Sequence, residues 1–216
     1  MSELSMAIDL GRGADGLPDD LALTAAAMRA SAATTDQVVL ALSHRPDEGV
    51  FVTNAFLDTL KPGNAPDNQP SMTTTYGARY GELNGAMAAL LMSERSATGG
   101  NPRLRDLALA AADCYRTARP PTGAALWPQS FAAAITLELR AWRLTKHPRF
   151  LTAAQKLADE ACDLFLDSSS PLLKATSRHA HYESITGGPA LMLALLDLHW
   201  ALSRPAEDPA LPWCRR

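Results

Sequence analysis

The residues best suited to chemistry lie close together in one short segment, SRHAHYESITGG, which runs from Ser177 to Gly188. An arginine, two histidines, a tyrosine and a glutamate follow one another there, and a strongly apolar segment comes next. Imidazole, phenol and carboxyl groups are the ordinary donors and acceptors of general acid–base catalysis. The segment is compatible with the edge of an active site or with a polar turn that leads into a buried helix. The five residues in question are Arg178, His179, His181, Tyr182 and Glu183.

The elements that would position these residues form a repeat. NPRLRDLALAAADCYRTA, from Asn101, and HPRFLTAAQKLADEACDLFL, from His147, both open with proline and arginine, and Asp113 matches Asp159 when the two are aligned. Proline is well tolerated in the first turn of a helix. A more apolar segment precedes each of these helices, and a third apolar segment follows Tyr182. Helices that are apolar almost all round need cover on several sides, whereas amphipathic helices can face water. The pattern therefore predicts stacked helical hairpins with alternating inner and outer helices.

The first 71 residues are less regular. An alanine-rich helix is predicted from Asp19 or Asp20, either of which could cap it. The runs QVVLALSH and GVFVTNAFL are short enough to be strands or turns of buried helix. A loop rich in proline, glycine and asparagine follows, from Lys61 to Ser71. We expect residues 1–71 to pack as a helical and irregular segment on a helical-hairpin domain of residues 72–216.

The segment from Tyr76 to Leu202 resembles the (α/α) toroid superfamily of six-hairpin glycosidases and polysaccharide lyases. The resemblance is carried by the step TKHPRF, Thr145 to Phe150, and by aromatic and acidic residues where inner helices start, as in YGE from Tyr80 and at Tyr182-Glu183. It implies an all-α fold of stacked hairpins that form a partial or complete (α/α) toroid around a central cavity.

The number of helices limits this resemblance. A complete toroid has about twelve helices, whereas this sequence offers roughly six or seven, and repeat helices without a neighbour leave an apolar face exposed. The chain could be part of a larger enzyme, an open array of hairpins, or a unit that completes its core by self-association. We therefore expect a homodimer or a missing partner segment.

The toroid resemblance also implies a substrate site over the N-terminal ends of the inner helices, where unpaired N–H groups and the helix dipole favour anions. The implied activity is that of a lyase or glycoside hydrolase on an oligosaccharide, including acidic ones. In a lyase, His181 and Tyr182 would serve as base and acid for β-elimination. In a hydrolase, Glu82 and Glu183 would be the paired carboxylates. The residues expected to bind substrate are Tyr76, Arg79, Tyr80, Asn84, Trp127, Gln129, Arg178 and His179.

Each of these residues also has a structural interpretation. Aromatic residues at the start of repeats commonly pack between neighbouring hairpins. A glutamate in a first helical turn stabilises the helix through its interaction with the helix dipole. His179 and His181 would not share a helical face, and in an extended segment they would point the same way without an evident third metal ligand. No metal or cofactor is therefore expected. The alternative function is a non-catalytic helical-repeat module for binding or assembly.

Composition narrows the remaining classes of protein. The formal net charge is −3 and no basic patch is evident, so nucleic acid is not an expected partner. The three cysteines have no metal-like spacing and are expected to be reduced. The start of the sequence does not resemble a signal peptide, and no apolar run approaches the ~20 residues that span a bilayer. We expect a cytoplasmic protein that does not interact with membranes.

Overall fold

The computed structural model describes residues 19–42, 46–54, 56, 59, 61–63, 71–77, 84–99, 101–167 and 170–204. In these residues the regular structure is helical, with short 3-10 turns at Pro46–Glu48 and Ser184–Thr186 and no strand or sheet. The prediction of an all-α fold is therefore confirmed. The α-helices are α1 (Asp19–Leu42), α2 (Gly85–Gly99), α3 (Pro102–Tyr115), α4 (Pro128–Thr145), α5 (Pro148–Phe165) and α6 (Gly188–Ser203).

The helices form two layers that follow the alternation in the sequence. The inner helices α2, α4 and α6 pack side by side, with α4 in the middle. The outer helix α3 packs on α2 and α4, and the outer helix α5 packs on α4 and α6. The inner helix α4 is consequently the most enclosed element, and its Phe131, Ile135 and Leu139 are fully buried.

The outer helices start as their sequences predict. Proline occupies the first turn of both α3 and α5, and the residue before it caps the helix. The Asn101 side chain accepts a hydrogen bond from the Arg103 backbone N–H, and His147 Nδ1 accepts one from the backbone N–H of Arg149. These bonds satisfy N–H groups that have no partner within the helix.

Bidentate ion pairs join two pairs of neighbouring helices. Asp36 of α1 accepts two hydrogen bonds from Arg95 of α2, at 2.6 and 2.9 Å. Arg143 of α4 donates two to the buried carboxylate of Asp197 in α6, at 2.5 and 2.9 Å. Bidentate arginine–carboxylate contacts fix geometry as well as charge. They therefore set the register between adjacent helices.

Of the two apolar runs before α2, one is helical and the other is extended. The run QVVLAL continues α1 as helix to Leu42, whereas Val50 to Thr53 is extended without forming a named strand. Val52 makes an isolated antiparallel bridge to Met72, and the Thr73 backbone N–H donates to the Phe51 carbonyl at 2.8 Å. The buried Phe51 ring thereby closes the core beside α2 and α3.

Candidate functional site

The polar segment after α5 is an exposed loop. His179, His181 and Tyr182 are exposed, and Glu183 is half-buried. His181 Nε2 lies 2.6 Å from Glu183 Oε1, and His179 Nδ1 lies 2.8 Å from the Thr176 hydroxyl. The two imidazole rings are 6.0 Å apart, centroid to centroid. The loop therefore brings an imidazole and a carboxylate into contact at the surface.

Hydrogen bonds connect the same loop to the loop that precedes α4. The Arg178 guanidinium donates a hydrogen bond to the Gly123 carbonyl. The Ser177 backbone N–H donates one to the Leu126 carbonyl at 3.0 Å. At the start of α6, Gly187 has φ +90°, and a Cβ there would lie 2.4 Å from Gln129 Cβ. Glycine is required at that point because the inner helices α4 and α6 start in close contact.

Trp127 and Gln129, at the start of α4, are half-buried and lie on the same side as the exposed loop. Asn84 and Tyr76, by contrast, are fully buried. The Asn84 side chain accepts a hydrogen bond from the Met87 backbone N–H at 2.9 Å and so caps α2. Its position gives it a structural role.

The Tyr76 ring is part of the core. It packs edge-on against Tyr115, with the ring centroids 5.7 Å apart. It also packs at a tilt against Phe131, with the centroids 5.4 Å apart. Burial raises the pKa of the Tyr76 phenol well above its ordinary value. Tyr76 is therefore placed as a packing residue, the structural alternative that the sequence left open.

The expected residues Arg79, Tyr80 and Glu82 lie outside the described residues. The pairing of Glu82 with Glu183 as catalytic carboxylates consequently stays a prediction. Within the described ranges, no three His, Cys, Asp or Glu side chains come together as metal ligands would. Burial also raises the pKa of the Cys114 and Cys162 thiols, which lowers their content of nucleophilic thiolate.

One buried acid was not singled out in the sequence. Glu138 lies in the middle of α4 with no solvent exposure, and neither of its carboxyl oxygens has a hydrogen-bond partner among the described residues. Burial, reinforced by the nearby Asp113 carboxylate and opposed by Arg116 and Arg149, raises the pKa of Glu138 to about 9. Glu138 is therefore neutral at pH 7. The sequence signal for this buried acid was the single glutamate within the mostly apolar run AAAITLELRAW.

Comparison with known proteins adds no relative. No family model, no curated protein and no solved structure matches this chain. The function must therefore be argued from the surface and the interior of the molecule.

A row of exposed, mostly apolar side chains lies on α6. Met192, Leu193, Leu196 and His199 follow one another at helical spacing along one side of the helix, and all four are exposed. We call these four residues the α6 face. Asp197 is the only Asp, Glu, Lys or Arg of α6, and it is buried on the opposite side against Arg143. The α6 face therefore contains no Asp, Glu, Lys or Arg.

Proposed function

We propose that this protein is a non-catalytic assembly module, an array of helical hairpins that self-associates through the α6 face. The observation that carries the proposal is the exposure of Met192, Leu193 and Leu196 on a helix that belongs to the inner layer. Together they expose a few hundred Å² of apolar surface, the size of the largest patch on a typical monomer, which is often functional.

The position of α6 in the array supports the same proposal. The inner helix α4 has neighbours on both sides and two outer helices over it, whereas α6 packs mainly on α4 and only slightly on α5. Its sequence is nevertheless as apolar as that of a fully enclosed helix. An apolar helix at the end of a repeat array is stabilised when another unit covers it.

The test is the molecular mass of the full chain in solution, measured by sedimentation equilibrium over a range of concentrations. The wild-type chain is expected to exceed its monomer mass of 23.1 kDa. Leu196→Glu should return it to the monomer, because an unpaired carboxylate buried in an apolar interface costs several kcal/mol.

A matched control is available in Leu172→Glu. Leu172 is as exposed as Leu196, 51% against 45%, but lies in the loop after α5. The Leu172→Glu variant should associate as the wild type does. A wild-type chain that is monomeric at every concentration would overturn the proposal, as would a Leu196→Glu variant that associates normally.

The carbohydrate-active enzyme is a second candidate, favoured by one contact. The 2.6 Å pair of His181 and Glu183 would let the carboxylate orient the imidazole as a general base beside the exposed Tyr182 ring. A thermal-shift screen with neutral and acidic oligosaccharides tests it. Stabilisation of the wild type that is lost in His181→Ala would support this candidate, and no stabilisation by any sugar would count against it.

A further inference from the structure

Like α6, the helix α1 has a part whose described side chains are exposed rather than packed on other helices. Its C-terminal half is attached to the array, where Ala32 is buried and Asp36 is paired with Arg95. From Leu23 to Ser31, by contrast, every side chain that the structure describes is exposed. Leu23 is 72% exposed and Met28 40%. The part of α1 from Leu23 to Ser31, about 13 Å of helix, is called the α1 arm below.

The order of the array shows what each end lacks. The outer helix α3 lies between two inner helices, α2 before it and α4 after it, and α5 lies in the same way between α4 and α6. The helix α1 precedes α2 and contacts α3, yet the described residues contain no inner helix before it. At the other end, they contain no outer helix after α6. Among the described residues, one end of the array therefore has no inner helix and the other has no outer helix.

We propose that two copies of the chain supply these positions to each other, with the α1 arm of each copy packed on the α6 face of the other. This inference rests on the proposed function and adds the occupant of the α6 face. The two contacts are related by a twofold axis, so the association closes as a dimer. It would form a ring with α2, α4 and α6 of both copies inside and α1, α3 and α5 of both copies outside.

The chemistry of the two surfaces fits this pairing. The α6 face contains no Asp, Glu, Lys or Arg, and Arg29 is the only such residue from Leu23 to Ser31. Packing the arm on the face therefore buries mainly alanine, leucine and methionine side chains and no carboxylate. If each helix contributes about 300 Å² to each contact, the two contacts bury about 1,200 Å², the lower limit for stable interfaces.

An alternative dimer would pack α6 of one copy on α6 of the other, and cross-linking distinguishes the two. The single variants Met28→Cys and Leu193→Cys are co-expressed, treated with a short bismaleimide and separated on a denaturing gel. Each variant alone is treated in parallel, and the wild type measures the background from its three native cysteines.

The proposal predicts a covalent dimer in the co-expressed sample and only background in each single variant. A covalent dimer of Leu193→Cys alone would overturn it in favour of packing between two α6 helices, and self-association would stand. A sample that sediments as a dimer without any cross-link would also overturn it. A monomer in sedimentation would overturn both this inference and the proposed function.

Discussion

The buried carboxyl of Glu138 gives a prediction whose magnitude follows from its pKa. Burial raises that pKa from 4.5 to about 9, so the folded protein holds a proton on Glu138 that the unfolded chain releases at neutral pH. The contribution of this group to stability is complete below about pH 4.5. It is lost progressively as the pH rises to about 9, at about 1.4 kcal/mol for each pH unit.

Glu138→Gln removes this dependence, because the amide resembles the protonated acid in size and polarity and does not ionise. The variant should have nearly the stability of the wild type at pH 4.5 and exceed it by about 3 kcal/mol at pH 7. The gain should increase further towards pH 9. The free energy of unfolding in guanidinium chloride, measured for both proteins from pH 4.5 to 9, gives the difference directly.

The control is Asp106→Asn, which changes a carboxyl that is well exposed on α3. Its difference from the wild type should not grow with pH in the same way. If the gain of Glu138→Gln were the same at every pH, Glu138 would be ionised in the folded protein, and the argument from burial would be refuted.

Three further substitutions test how the helices are held together. Arg143→Ala should lower the free energy of unfolding by about 3–5 kcal/mol, because it leaves the Asp197 carboxylate buried without its partner; in urea titrations, a loss below 1 kcal/mol would contradict this. Gly85→Ala should destabilise strongly, since a Cβ there would lie 1.5 Å from the Gly49 carbonyl oxygen, whereas Gly188→Ala meets only ordinary contacts beyond 3.6 Å. Thermal melts in which the two glycine variants behave alike would refute that assignment.

The helices of the repeat could be predicted because their signals are local. Proline and arginine after Asn101 and His147 mark the starts of α3 and α5, and the all-apolar run after Gly188 marks α6. The end of α1 could not be predicted, because QVVLAL is too short for its periodicity to separate strand from helix. Only packing beside α2 and α3 decides that it is helical.

The candidate site was harder to predict because its geometry depends on contacts between distant residues. Tyr76 was expected to bind substrate, but its ring is enclosed by Tyr115 and Phe131, which no local pattern connects to it. His181 and Glu183 were expected to take part in catalysis, but the contact between them was not predicted from the sequence. Glu138 was missed because the inner helices were interpreted only by their apolar character.

The measurement that tests the central claim most directly is the mass of the intact chain in solution beside that of Leu196→Glu. Self-association through the α6 face predicts twice the 23.1 kDa monomer mass for the wild type and the monomer mass for the variant, with unchanged helix content. A wild type that sediments as a monomer at concentrations far above micromolar would contradict the account.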